Sequence, residues 1–158
     1  MAKKKIAVIY HSLSGNTAAA ARNVAEGIKN AGGFEVVMAN TNEKRVDPAI
    51  LADCAAAAFG TPDYFSYPAG CMKTFIDDWL IAKRKSGEQG GEIPVALFVS
   101  HGGGGGAKQP FETLFRRIGP QTGETLVVKG KPEGEQVEAL RKLGAALAKS
   151  AKEAQAKK

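Results

Sequence analysis

Short apolar runs alternate along this chain with longer segments in which apolar residues recur at helical spacing. The runs are rich in β-branched residues and bounded by glycine, proline or polar residues, which is typical of buried strands. They predict five strands, at Lys5–Tyr10, Phe34–Ala39, Cys54–Gly60, Pro94–Ser100 and Thr125–Val128. The third strand is the least typical, because alanine, which fills most of it, is a poor strand former.

Each predicted strand is followed by a predicted helix. Four helices show apolar stripes at i, i+3 and i+4 spacing. The stripes are Ala21, Val24, Ala25 and Ile28; Met72, Phe75, Ile76, Trp79 and Leu80; Phe111, Leu114, Phe115 and Ile118; and Val137, Leu140, Gly144, Leu147 and Ala151. A shorter helix is predicted to begin at Pro48, with Asp47 as its N-cap.

Four boundaries complete this pattern of elements. Gly32-Gly33 is expected to end the first helix, and residues 87–91 are expected to form a loop. Pro110 is expected to open the fourth helix. The last helix is expected to fray into a lysine-rich tail over about 149–158.

Strict alternation of strands and helices indicates the α/β class. It predicts a three-layer, doubly wound, five-stranded parallel sheet with helices on both faces. The length, 158 residues, suits a single domain spanning 1–158. Ligands bind such sheets at the carboxyl ends of the strands. The loops that carry chemistry are therefore the first loop (Tyr10–Thr17), the second loop (Gly60–Gly70) and the third loop (Ser100–Lys108).

The net charge of +6 suggests nucleic acid or an anionic surface until the charges are located. The excess lies at the termini, since residues 6–148 carry 15 basic and 15 acidic side chains. Its carriers are Lys3, Lys4, Lys5, Lys149, Lys152, Lys157 and Lys158, opposed there by Glu153. No nucleic-acid role is expected, and the termini are either simply solvated or weakly attractive to acidic partners.

The chain shows no feature of export or membrane insertion. No apolar run approaches the length of a membrane-spanning helix, and His11 and Ser12 interrupt the first apolar segment before it could act as a signal peptide. Two cysteines, Cys54 and Cys71, provide neither a disulfide framework nor a metal quartet. A cytoplasmic location is expected.

The first loop places hydroxyl, amide and glycine residues between a strand and a helix N-terminus. Unpaired backbone N–H groups at such a terminus favour an anion. The loop has no Lys or Arg, and it does not match the P-loop of nucleotide triphosphatases. Two interpretations stay open for it alone: neutral dipoles that bind an anion, or Ser14 and Asn16 merely capping the helix.

The second and third loops are less specific. The second crowds Tyr64, Phe65 and Tyr67 between two prolines, so these aromatics either wall in a planar ring or pack on their own domain. The third contains five consecutive glycines, Gly102–Gly106, whose backbone could lie edge-on to a ligand or form a flexible surface loop.

Taken together, the three loops resemble the flavodoxin-like family. The family's phosphate loop, [ST]-x-[ST]-G-x-[ST], is matched throughout by residues 12–17, SLSGNT. Residues 60–65, GTPDYF, look like the second flavin loop of the quinone-reductase-related branch, and Gly102–Gly106 looks like its third loop. The resemblance covers the whole length, and it implies strand order 2-1-3-4-5 and FMN as the cofactor.

The resemblance also implies site residues. The expected phosphate ligands are Ser12, Ser14, Asn16 and Thr17, with Gly15 supplying the turn. The residues expected beside the ribityl chain and ring edge are Thr61, Pro62, Asp63, Tyr64 and Phe65. Those expected at the pyrimidine edge are Ser100, Gly102, Gly103 and Gly104. No side chain needs to act as an acid or base, and His101 is either a charge near the flavin or a surface histidine.

The chain departs from many electron-carrier flavodoxins, which are acidic and cover the outer flavin face with an aromatic residue. Here the chain is basic and glycine takes that place, which leaves room for nicotinamide or a quinone. The expected function is electron transfer through FMN, as a carrier or as a small NAD(P)H-dependent oxidoreductase. The alternative is a non-enzymatic binding domain with a degenerate flavin site. A homo-oligomer stays open, because related reductases often pair subunits around the flavin.

Overall fold

Six strands and four α-helices follow one another in the computed structural model, which describes residues 2–87 and 92–158. The strands are β1 (Lys5–Tyr10), β2 (Glu35–Asn40), β3 (Cys54–Tyr64), β4 (Tyr67–Pro68), β5 (Val95–His101) and β6 (Leu126–Lys129). The helices are α1 (Asn16–Ala31), α2 (Gly70–Ser86), α3 (Lys108–Phe115) and α4 (Glu135–Ala156). A short 3₁₀ helix covers Pro48–Leu51.

The five long strands are parallel and lie in the order β2-β1-β3-β5-β6. Counted over these strands, this is the expected order 2-1-3-4-5, so the three-layer, doubly wound sheet is confirmed. The remaining strand, β4, pairs antiparallel with the end of β3 and extends that strand into a hairpin. Among the described residues, no helix is both long and apolar enough to cross a membrane.

The two faces of the sheet bury separate clusters, because successive strand residues point to opposite sides. In β1, Ile6 and Val8 face α1 and α4, whereas Ala7 and Ile9 face α2 and α3. The alanines of β3 also divide between the faces and are buried, so tertiary packing outweighs their poor strand propensity.

Helices α1 and α4 approach unusually closely on one face. A Cβ on Gly27 would overlap the carbonyl of Arg141, and a Cβ on Gly144 would overlap the carbonyl of Val24. Glycine is required at both positions because only hydrogen fits between the two backbones. This contact joins the first helix of the chain to the last.

Three features differ from the sequence-based predictions. The predicted helix after β2 is only the 3₁₀ turn, although its Asp47 cap is correct, with the Asp47 Oδ1 accepting from the Ala49 N–H at 2.9 Å. The last helix does not fray at residue 149: it continues to Ala156, because the buried Ala151 holds it against the core. Leu80, predicted in the α2 stripe, is exposed.

Two other predicted boundaries have mixed outcomes. The helix predicted to open at Pro110 begins two residues earlier, at Lys108, and ends before Ile118, which is nevertheless buried. Of the loop predicted over 87–91, Gly87 ends α2 in the left-handed conformation, and residues 88–91 lie outside the described residues.

Candidate functional site

The first, second and third loops lie side by side at one edge of the sheet. They follow β1, β3 and β5, which are neighbouring parallel strands, so their carboxyl ends share that edge. Pairing between β3 and β5 continues as far as Pro62 opposite Ser100, which brings the starts of the second and third loops together. The structure thus collects all the sequence-predicted site residues in one region.

Ser12 fixes the shape of the first loop through hydrogen bonds to its buried side chain. Its side chain is 7% exposed, and its Oγ accepts hydrogen bonds from the backbone N–H groups of Gly15 at 3.2 Å and Ala18 at 3.1 Å. Gly15 has φ +108°, a left-handed conformation that favours glycine, and α1 begins immediately after it. Gly15 is the N-cap residue of α1, Ser12 accepts two N–H groups at this helix start, and the Ser12 hydroxyl proton stays available to a ligand.

Asn40 holds the other side of Ser12. The Asn40 Oδ1 accepts from the Ser12 N–H at 3.0 Å, and the Asn40 Nδ2 donates to the Ser12 carbonyl, also at 3.0 Å. Sequence reasoning missed this residue. The available signal was a polar cluster, Asn40-Thr41-Asn42, directly after the strand that neighbours β1.

The N-terminus of α1 presents backbone donors without protein acceptors. Within the described part of the chain, no hydrogen bond involves the N–H groups of Ser14, Asn16 or Thr17. Ser14 is exposed and Asn16 half-buried, so their side chains can reach a ligand at the same place. Together with the helix dipole, this arrangement suits an anion.

One buried hydrogen bond links the first loop to the third. The hydroxyls of Thr17 and Ser100 lie 2.6 Å apart, and both side chains are at least nine-tenths buried. One of the two protons serves this bond, which leaves the other for a ligand.

His11 fixes the entry to the first loop. Its Nδ1 lies 3.0 Å from the Thr41 Oγ1, and its ring meets Tyr64 edge-on at a centroid distance of 5.8 Å. Its backbone N–H donates to the Gly60 carbonyl at 3.1 Å. Burial lowers the pKa of His11 below its ordinary value of 6.5, which favours a neutral ring.

The second loop is a tight hairpin with a buried base. Thr61 is fully buried, donates to the Pro62 carbonyl at 2.8 Å and accepts from the Ala69 N–H at 2.9 Å, so its hydroxyl closes the hairpin. The Asp63 Oδ1 accepts from the Ser66 N–H at 2.7 Å. The side chains of Pro62 and Asp63 are half-buried at the edge of the site.

The hairpin tip is conformationally unusual. Phe65 and Ser66 have φ of 55° and 61°, the left-handed conformation that type I′ turns normally give to Asn and Gly. The Phe65 side chain is 104% exposed, that is, entirely in solvent. Leu13 of the first loop and Tyr64 and Tyr67 of the second are exposed as well, and we call these four side chains the exposed rim.

The third loop contributes backbone and open space. A Cβ on Gly102 or Gly103 would meet nothing within 4 Å, whereas one on Gly106 would lie 2.9 Å from the Ser66 side chain. The position of a Cβ on Gly104 would be 3.5 Å from the Asp63 Oδ2. The loop therefore touches the hairpin at Gly104 and Gly106 and is open at its start.

His101, at the end of β5, carries a buried Nδ1 without a hydrogen-bond partner among the described residues. Such an atom is costly unless something satisfies it. No group of three or more His, Cys, Asp or Glu side chains within residues 2–87 and 92–158 is arranged to hold a metal ion. The site instead combines uncharged hydrogen-bond donors at the start of α1 with the open backbone of Gly102 and Gly103, which we call the glycine shelf. This arrangement fits a phosphate joined to a planar ring.

The fold and these loops define a flavin-type nucleotide-binding domain, and comparison with known proteins agrees. The flavodoxin family model matches residues 8–144, so the chain belongs to the flavodoxin family. It is an FMN-binding flavoprotein of electron transfer.

Among solved structures, a flavodoxin from the domain Archaea is 27% identical, with a TM-score of 0.80 over 94% of this chain and 99% of that one. Flavodoxin 1 from Bacillus cereus is 23% identical, with a TM-score of 0.75 over 92% and 97%. The flavodiiron core of Synechocystis Flv1 is 24% identical, with a TM-score of 0.83 over 96% of this chain, which spans only 37% of that protein.

Proposed function

We propose that FMN is held with its phosphate at the start of α1 and its ring across the second and third loops, where it exchanges electrons with a small hydride donor or acceptor. The observation that carries this proposal is the set of unpartnered N–H groups at Ser14, Asn16 and Thr17, in a turn already shaped by Ser12 and Asn40. FMN, when bound, supplies the redox chemistry, and the chain supplies position and electrostatics.

The proposed phosphate ligands are the side chains and backbone donors of Ser12, Ser14, Asn16 and Thr17, with Gly15 forming the turn. Ser12 is supported by a hydroxyl proton that its two accepted hydrogen bonds leave over, and the hydrogen-bonded pair of Thr17 and Ser100 supplies one further free proton. No cationic side chain belongs to the first loop, so neutral donors and the α1 dipole would carry the negative charge.

The proposed ring contacts come from the other two loops. Pro62, Asp63, Tyr64 and Phe65 would flank the ring edge, with Thr61 contributing through its backbone because its hydroxyl is already used. Ser100, Gly102, Gly103 and Gly104 would meet the pyrimidine edge. The open space at Gly102 and Gly103 supports an accessible outer face, which suits NAD(P)H or a quinone.

A second role, as a carrier that docks on a redox partner protein, is favoured by the exposed rim of Leu13, Tyr64, Phe65 and Tyr67. Several exposed apolar side chains on neighbouring loops are typical of protein interaction sites. The proposed location is the cytoplasm, which the free thiols of Cys54 and Cys71 support. The same rim could join two copies of the chain, so pairing of subunits belongs to this proposal.

The phosphate position is tested by comparing FMN with riboflavin, which lacks the phosphate. Ser14→Ala should weaken FMN by roughly 1–3 kcal/mol, about 5- to 150-fold in Kd, and leave riboflavin affinity unchanged. Calorimetry measures both affinities. An equal loss for the two ligands would place the phosphate elsewhere, and failure of the unmodified chain to take up FMN would favour the degenerate binding domain.

The redox role is tested by anaerobic mixing of the FMN-loaded protein with NADH or NADPH. Rapid bleaching of the visible flavin absorbance indicates direct hydride transfer and therefore a reductase. Bleaching that requires a separate reductase protein indicates a carrier.

A further inference from the structure

The end of the molecule opposite the three loops gathers lysine and arginine side chains. Strand β1 starts at this end, and helices α1, α2 and α4, which run antiparallel to the strands, finish there. We call it the basic end. Its cations are Lys3, Lys4, Lys5, Lys29, Lys83, Arg84, Lys85, Lys149, Lys152, Lys157 and Lys158.

Direct contacts bring the two chain termini together here. Lys4 and Lys158 line the same cavity of about 220 Å³. They also line a neighbouring cavity of about 480 Å³, together with Lys83 and Trp79. On the other side of α4, the Lys152 Nζ donates to the Ala31 carbonyl at 3.2 Å, which joins the ends of α4 and α1.

The charge at the basic end is largely unbalanced. Among the described residues, acidic side chains are fewer there, namely Glu35, Asp47, Asp53, Asp78, Glu92 and Glu153. Leaving Lys83 aside, one recorded ion pair borders this end, Arg45 with Asp78 beside Ile81 and Lys85, and the others between described residues lie elsewhere, at Lys73, Lys108, Arg116 and Arg141. The terminal charges that the sequence presents as separate groups therefore form one cationic surface.

Exposed apolar side chains lie among these cations. Leu80 and Ile81, in the C-terminal half of α2, are 41% and 50% exposed. They precede Lys83, Arg84 and Lys85 within about one helical turn. Beside them the Lys83 Nζ lies 5.8 Å from the ring centroid of Trp79. The basic end is thus amphipathic as well as charged.

We propose that the basic end docks on anionic lipid headgroups at a membrane surface, with Leu80 and Ile81 entering the interface. Clustered lysines attract anionic lipid, and adjacent aliphatic side chains add burial at the boundary between headgroups and acyl chains. The aliphatic residues favour lipid over nucleic acid, whose phosphate backbone gives them nothing to bind. This surface is distinct from the proposed flavin site, which would face the aqueous phase on the opposite side.

Vesicle co-sedimentation tests the electrostatic part. The FMN-loaded protein should sediment with vesicles of phosphatidylglycerol and phosphatidylcholine and dissociate from them at high salt. It should not sediment with vesicles of phosphatidylcholine alone. The variant R84Q/K85Q/K157Q/K158Q should bind at least about tenfold more weakly. The matched control K44Q/K129Q/K131Q/K142Q, which removes the same charge away from the basic end, should bind almost as the unmodified protein. Equal losses in the two variants would overturn the proposal.

Trp79 tests the apolar part, because it is the single tryptophan of the chain. Acyl chains brominated in anionic vesicles should quench its fluorescence, and L80S/I81S should reduce that quenching while low-salt attraction remains. Flavin content and a thermal melt check that this variant folds. Absence of quenching in the unmodified protein would overturn the insertion. Tighter binding of the basic end to polyglutamate or duplex DNA than to vesicles would overturn the choice of lipid.

Discussion

The first and third loops face one another across the carboxyl edge of the sheet but are held in different ways. In the first loop, Ser12 accepts two backbone N–H groups, and Asn40 binds both its N–H and its carbonyl. In the third loop, the glycines have no side chains, and a Cβ on Gly102 or Gly103 would meet open space. One loop is shaped by the protein's own hydrogen bonds, and the other relies on its flanking strand and the hairpin.

This difference suggests a division of tasks. An anion gains most from donors that are already oriented, because the protein then loses little entropy on binding. A planar ring instead needs close approach of backbone, which glycine permits at the cost of conformational entropy. We expect substitutions in the first loop to alter both stability and FMN affinity, and those at Gly102 and Gly103 of the third loop to alter affinity alone.

The largest effect is expected from Asn40→Ala, which removes both hydrogen bonds to Ser12. Stability should fall by about 2–3 kcal/mol, because buried backbone groups lose their partners, and FMN affinity should fall with it. Urea unfolding of the apoprotein measures the first, and FMN titration the second. Asn42→Ala is the control, since only its backbone N–H takes part in the network. Equal effects of the two substitutions would contradict this account.

The next effect concerns the hairpin that supports the third loop. Phe65→Asn combined with Ser66→Gly should raise stability by about 1–2 kcal/mol, because these residues tolerate the left-handed conformations at the tip. The urea midpoint of the apoprotein measures this gain. If Phe65 contacts the ring or a partner, electron transfer should decline in the more stable variant. An unchanged or lower midpoint would show that the tip is not strained.

A smaller effect is expected from pH at His11, the entry to the first loop. Burial lowers the His11 pKa below 6.5 in the folded protein, so the unfolded chain binds a proton more readily. The contribution of His11 to stability is therefore present above about pH 6.5 and is lost as the pH falls through the lowered pKa of the folded protein. Urea unfolding at about pH 7.5 and 5.5 should show this loss, and His11→Gln should reduce it. An identical pH dependence in His11→Gln would assign the loss to other groups.

The smallest effect on stability is expected from Gly103→Ala. The added methyl group meets open space, so the unfolding free energy should change by no more than about 0.5 kcal/mol. FMN affinity should nevertheless fall, because the methyl group would occupy the shelf where the ring is proposed to lie. Apoprotein unfolding and FMN titration separate the two quantities. A large loss of stability would mean that the third loop is as tightly constrained as the first.

Much of the fold follows from local sequence patterns. Alternation of apolar runs and helical stripes predicts the five parallel strands, because a strand that is buried on both faces of the sheet is a continuous run of apolar residues. The helix after β2 is the exception: Asp47 and Pro48 give a correct start, but start signals do not determine helix length. The end of α4 is set by the packing of Ala151, which a lysine-rich composition conceals.

The candidate site is less predictable from sequence. The hydroxyl and glycine pattern of residues 12–17 identifies the loop, because those residue types are needed locally. Asn40 is 28 positions from Ser12, so only the adjacency of β1 and β2 brings them together. The left-handed conformation of Phe65 and Ser66 is likewise not predictable from the sequence, since neither residue type is typical of a type I′ turn.

The close contact of α1 with α4 has a consequence for the order in which the protein matures. Helix α1 is synthesised well before the segment that covers its apolar side, which contains Gly144 and Leu147. Until that segment is made, the apolar side of α1 stays in water or with a chaperone, because its close contacts, Gly27 with the Arg141 backbone and Val24 with Gly144, need α4. Closure of this half of the domain therefore waits until α4 has been synthesised.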